Sequence, residues 1–137
     1  MKPGISVITL GVKDLKKSVN FYRDGLGFST KGIIGEEFEY GAVAFFDMQN
    51  GLKLALWSQE SISKDTGIPI SLVSSTNFTL GHNVKRQQEV DSIMLLAKRA
   101  GANIIKPAQN TFYGGYAGYF QDLDGHLWEI VYNPSFL

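Results

Sequence analysis

The chain has 137 residues, 44% of them hydrophobic and 19% charged, which suits one compact globule or two small half-domains sharing a core. Thirteen basic residues balance thirteen acidic ones, so there is no electrostatic footprint for nucleic acid. The absence of cysteine excludes disulfides, thiolate metal sites and cysteine nucleophiles, and no apolar run approaches the roughly 18 residues of a membrane span.

Met1-Lys2-Pro3-Gly4 leads into a strand-like segment rather than a signal-peptide core, so a cytoplasmic setting is expected. Ile5 to Val12 is β-branched and apolar and reads as the first strand. Asp14 is a good N-cap. Leu15, Val19, Tyr22 and Leu26 then recur at helical spacing with charged residues between them, predicting roughly three turns of amphipathic helix that Gly25-Leu26-Gly27 ends. Phe28 to Ile34, Phe38 to Asp47 and Leu52 to Trp57 read as three more strands, the last two joined by an Asn50-Gly51 turn. Residues 59–76 are Ser-rich and lack clean periodicity, and read as a connection with at most a short helical turn.

The second half follows the same order. Phe78 to Val84 is a strand, and Val90, Ile93, Met94 and Ala97 mark the buried stripe of a helix from about Gln87 to Ala100, which Gly101 stops. Ala102 to Ile105 is a strand that Pro107 ends, residues 110–115 are a loop, and Tyr116 to Gln121 and Leu127 to Tyr132 are strands around an Asp124-Gly125 turn. Val12 corresponds to Val84, and Asn50-Gly51 to Asp124-Gly125, 72 and 74 positions later. The fold class expected is therefore α+β, with two strand-helix-three-strand (βαβββ) modules, 1–58 and 77–137, joined by 59–76 in a single domain.

Thr9-Leu10-Gly11-Val12-Lys13-Asp14-Leu15, Ser18-Val19-Asn20-Phe21-Tyr22 and Gly25-Leu26-Gly27-Phe28 resemble the opening of a vicinal-oxygen-chelate protein, the superfamily of glyoxalase I, extradiol dioxygenases and fosfomycin- and bleomycin-resistance proteins. Asp122-Leu123-Asp124-Gly125-His126-Leu127-Trp128-Glu129 is similar to the close of that fold, where a Pro is common at the position of Leu123. The resemblance covers nearly the whole chain and implies two concave sheets forming a cavity. It specifies no reaction. In the family's metal enzymes the first and fourth strands of each module each supply one ligand. Those positions fall at Val7, Ala55, Thr79 and Glu129, a set that the repeat also relates. Val7 and Ala55 offer no donor atom and Thr79 only a neutral hydroxyl, whereas zinc or iron takes about three or four His, Cys or carboxylate ligands. No metal and no other cofactor are expected. His82 has the parity of the helix-packing side and reads as structural, and His126 is expected to be exposed in its turn.

With Glu129 pointing inward, alternation sends Trp128 and Ile130 to the helix side. The same rule turns Val7 and Thr9, Ala55 and Trp57, and Thr79 and Asn83 toward the cavity. That cavity reads as apolar and aromatic, with Thr79, Asn83 and Glu129 as its few polar groups. Phe112, Tyr113 and Tyr116 flank Gly114-Gly115 in a loop that either closes over a ligand or simply turns the chain. Two functional readings stay open. One is a metal-independent protein that holds an apolar or aromatic small molecule, as the bleomycin-resistance branch does. The other is a metal-independent lyase or isomerase with Glu129 as general acid or base. The resemblance also implies a homodimer. No nucleic-acid or membrane partner is expected.

Overall fold

The computed structural model describes residues 1–72 and 74–136. Its contacts divide into two compact units, 1–72 and 73–137, each a four-stranded sheet with helices.

In the first unit β1 (Val7–Val12) runs into α1 (Leu15–Asn20), followed by β2 (Thr30–Ile34), β3 (Val43–Asp47), β4 (Lys53–Ser58) and α2 (Gln59–Thr66). Asp14 caps α1 by accepting from the Lys17 amide at 3.0 Å, as its residue type demands. The helix continues beyond Asn20 as a π-helical segment, Phe21–Gly25, with the Leu26 amide bonded to the Phe21 carbonyl. The amphipathic stretch thus has its expected length but not uniform α geometry. Phe21 and Tyr22 are both buried in it, and Tyr22 packs against Phe28 and Phe46. The sheet order is β1-β4-β3-β2, with β1 parallel to β4. Asn50 and Gly51 both take positive φ in the β3–β4 turn, which Asn and Gly tolerate best.

α2 is longer than the short helical turn expected in this connection. Ser58 caps it through the Ser61 amide and Gly67 closes it in the left-handed conformation. Its weak apolar periodicity hid it, because only a short stretch packs. Gly11 makes that packing possible: a Cβ there would lie 3.2 Å from Ile62 Cδ1 and 3.3 Å from Gln59 Cγ.

The second unit repeats the plan with β5 (Leu80–Val84), α3 (Gln87–Ala100), β6 (Asn103–Asn110), β7 (Tyr116–Gln121) and β8 (Leu127–Tyr132), in the order β5-β8-β7-β6. β5 is parallel to β8. The equivalence extends to register: Thr9 pairs with Ala55, and Gly81, 72 positions after Thr9, pairs with Glu129. α3 has the limits its periodicity predicts and buries Val90, Met94 and Ala97. Leu10, Val12, Leu54 and Leu56 form the first core, and Phe120, Trp128 and Ile130 the second. Phe120 and Trp128 stack, with centroids 6.2 Å apart. β6 corrects the expectation that Pro107 ends a strand. It is an edge strand, and its pairing with β7 shifts register between Ile104 and Lys106 and again between Lys106 and Gln109. An edge strand can accept a residue without an N–H. Among the described residues no helix is long and apolar enough to cross a membrane.

Candidate functional site

The site is built on the second sheet, on the face that α3 does not cover. Gly118 fixes which face that is, because a Cβ there would meet the Met94 side chain of α3 at 2.9 Å. Alternation puts Phe120 on the same side and turns Ala117 and Tyr119 the other way. In β8 the buried Trp128 and Ile130 take the helix side and Glu129 takes the opposite one. Cross-strand pairing then aligns Gly81, Glu129, Tyr119 and Lys106 in one row across all four strands.

Lys106, Tyr119 and Glu129 from this row line a cleft of about 290 Å³ together with Gln109, Asn110, Thr111, Phe112, Tyr113 and Ala117. The Tyr119 phenol is pushed above its ordinary value, first by burial and then by the charge and hydrogen bonding of Glu129, with Tyr113 adding to the shift. Tyr119 and Glu129 are direct cross-strand neighbours, so the phenol and the carboxylate share this face. The cleft is more polar than the apolar cavity expected.

Of the residues expected to bind a ligand, Glu129, Phe112 and Tyr113 meet in this cleft. Tyr116 does not. It has the parity of Gly118 and Phe120, and its hydroxyl donates to Asp91 of α3 at 2.8 Å, so it works on the helix side. Thr79 and Asn83 are exposed at β5, the opposite edge of the sheet, and do not line the cleft. Thr79 precedes the strand itself. Val7, Thr9, Ala55 and Trp57 belong to the first unit, where β1 and β4 pair Thr9 with Ala55. There Ala55 is buried, Val7 is exposed, and the Trp57 indole donates to the Tyr40 carbonyl.

Six lining residues, Lys106, Gln109, Asn110, Thr111, Ala117 and Tyr119, lie outside the expected set. Tyr119 and Ala117 had a usable signal. A hairpin centred on Asp124 sets Gln121 opposite Leu127, and therefore Tyr119 opposite Glu129 and Ala117 opposite Val131. The β6 residues had none, because the register shifts around Pro107 break the alternation.

The 111–115 loop is a closed turn. The Thr111 amide bonds the Gly115 carbonyl at 3.0 Å, and the Gly115 amide bonds Thr111 Oγ1 at 2.9 Å. Gly114 takes positive φ. A Cβ on Gly115 would lie 2.5 Å from the Tyr132 carbonyl oxygen. Phe112 and Tyr113 stack edge to face at the tip, 5.2 Å between centroids.

His126 corrects the expectation of exposure, since only 16% of its side chain is accessible. Its Nδ1 lies 2.7 Å from Oδ2 of the buried Asp122. Oδ1 of that carboxylate accepts from the amides of Asp124 and His126, both at 2.9 Å. Burial opposes the imidazolium, but Asp122 and then Asp124 outweigh it, so the pKa of His126 is raised. His82 pairs with Ile130 on the helix side, and burial lowers its pKa despite the nearby Glu89.

The residues present do not fit a divalent metal ion. Among the described residues no three His, Cys, Asp or Glu gather at one place, and Gly81, the direct strand neighbour of Glu129, has no side chain to offer.

Residues 4–130 match the family model described as Glyoxalase/Bleomycin resistance protein/Dioxygenase superfamily. Among solved structures, a glyoxalase-related enzyme from Fulvimarina pelagi is 35% identical, with a TM-score of 0.81 over 96% of this chain and 88% of that one. The genomically encoded fosfomycin resistance protein FosX from Listeria monocytogenes is 26% identical, with a TM-score of 0.71 over 97% and 95%. A glyoxalase/bleomycin resistance protein/dioxygenase family enzyme from Burkholderia phytofirmans, 20% identical with a TM-score of 0.72 over 93% and 96%, shares the fold.

Proposed function

The chain belongs to the glyoxalase/bleomycin resistance protein/dioxygenase superfamily, and from that premise we propose that it is a metal-independent binding protein that holds a small organic molecule in the second-unit cleft. The observation carrying this reading is the composition of the cleft. It joins an aromatic pair, Phe112 and Tyr113, to hydrogen-bonding groups on three adjacent strands, the mixture of apolar surface and a few convergent polar groups that small-molecule sites use. Retaining a ligand needs affinity alone. The test is equilibrium dialysis against a library of small aromatic compounds, with mass balance on whatever binds. The expected result is a compound that is bound and recovered unchanged. Consumption of the compound would overturn the reading.

One observation favours a second reading, a lyase or isomerase with Glu129 as general acid or base. Tyr119 is the direct cross-strand neighbour of Glu129 and both line the cleft, so a proton donor and a carboxylate face one space. Under that reading Glu129→Gln lowers turnover by about 10²–10⁴-fold while ligand binding survives. Unchanged turnover in the variant would exclude it. A cytoplasmic setting and a homodimer complete the proposal. The latter is supported by the family analogy and by Val7 and Phe45, exposed apolar residues on one face of the first sheet.

A further inference from the structure

The cleft has a direction. Lys106 and Glu129 stand at the two ends of a row with Tyr119 between them, on β6, β8 and β7 respectively. Adjacent strands lie about 4.8 Å apart, so the two charged residues spring from backbones roughly 10 Å apart. The β6 end is rich in uncommitted donors. Among the described residues, no ion pair or side-chain hydrogen bond engages Lys106, Gln109 or Asn110. The β8 end carries the Glu129 carboxylate, whose direct cross-strand neighbour is Tyr119. Phe112 and Tyr113 supply exposed aromatic surface at the cleft.

Taking the small-molecule reading above as given, we infer that the ligand is an amphoteric aromatic compound lying along the Lys106–Tyr119–Glu129 row, with its acid group at Lys106 and an ammonium or other hydrogen-bond donor at Glu129. Each end selects by sign. An oxyanion gains charge-assisted hydrogen bonds at Lys106 and meets repulsion at Glu129, whereas a cation is received in the reverse sense. A neutral aromatic compound keeps only the stacking surface. A ring with its two groups para to one another, with a hydrogen bond of about 2.8 Å at each end, spans somewhat more than the roughly 10 Å between the two backbones, a difference that the long, flexible Lys106 side chain takes up.

The probe is 4-(aminomethyl)benzoate, measured by isothermal titration at low salt against two analogues that each lose one end: 4-(aminomethyl)benzamide and 4-methylbenzoate. The inference expects the zwitterion to bind best and each analogue to bind about tenfold more weakly, the worth of one charge-assisted contact. Lys106→Met should weaken the zwitterion about tenfold and leave the amide unchanged. Glu129→Gln should abolish the preference for the zwitterion over 4-methylbenzoate. Lys106 is exposed on an edge strand, so its replacement should not disturb folding, and a thermal melt of each variant checks this. Equal affinity for zwitterion and amide, an unaltered Lys106→Met affinity, or no binding by any of the three would overturn the inference. The broader binding reading fails separately, when no compound of any charge type in the dialysis library binds.

Discussion

Glu129 is a carboxylate in an otherwise apolar strand, and its neighbours set what it can do. Gly81 on one side gives it no partner, while Tyr119 on the other gives it a phenol. That Glu129 and Trp128 would take opposite faces was legible from alternation alone. That Tyr119 would stand beside Glu129 was legible only by carrying the hairpin register across to β7. Tyr119→Phe removes that phenol and should weaken a cleft-bound ligand by up to about tenfold, as expected for one neutral hydrogen bond. Titration calorimetry checks this, and an unchanged affinity would place the ligand elsewhere. Gly115 makes a prediction of a different kind. An added methyl group would press on the Tyr132 carbonyl, the Tyr113 ring and Thr111. Gly115→Ala should therefore cost about 1–3 kcal/mol, read as a lower urea midpoint. A midpoint equal to that of the parent would show that the turn can relax.

Among the elements, those with clean periodicity were the most legible. α3, β7 and β8 have the limits their patterns predict. β6 was legible only up to Ile105, because Pro107 reads as a terminator unless the strand is known to be an edge, and edge position is set by pairing between distant residues. The cost was functional, since β6 carries Lys106, Gln109 and Asn110. The β7–β8 turn is the element with a titratable clamp. Asp122 holds both the backbone and the His126 ring, and Ser75 adds a hydrogen bond to the Gly125 carbonyl at 2.8 Å. Because the folded pKa of His126 is raised, its contribution is fully present below the unfolded value near 6.5. It is lost as pH rises through the folded pKa. Thermal melts should show the parent losing stability across that window relative to His126→Gln. Parallel pH profiles would mean that the clamp does not titrate as the geometry requires.

At the scale of the whole molecule, the architecture is written in the internal repeat. Two modules with matching strand order, each with its first strand parallel to its fourth, follow from it. The repeat is a poorer guide to the site. It relates Val7 to Thr79 and Ala55 to Glu129, four positions expected to form one constellation, whereas the cleft uses only Glu129 of those four and draws its other residues from β6, β7 and the loop between them. Equivalent backbone positions need not carry equivalent chemistry, and here Val7 and Ala55 carry none that a polar ligand can use. Light scattering of purified protein should give twice the chain mass if the homodimer forms, and a single chain mass would remove that part of the proposal.

Ligand binding is proposed for the β6–β7–β8 face of the second sheet. Backbone amide shift mapping tests it most directly, with the protein titrated with a compound retained in dialysis. The expected perturbations are concentrated at Lys106, Gln109, Ala117, Tyr119 and Glu129. Perturbations centred instead on Thr79 and Asn83, or on Val7, Thr9 and Ala55, would contradict it.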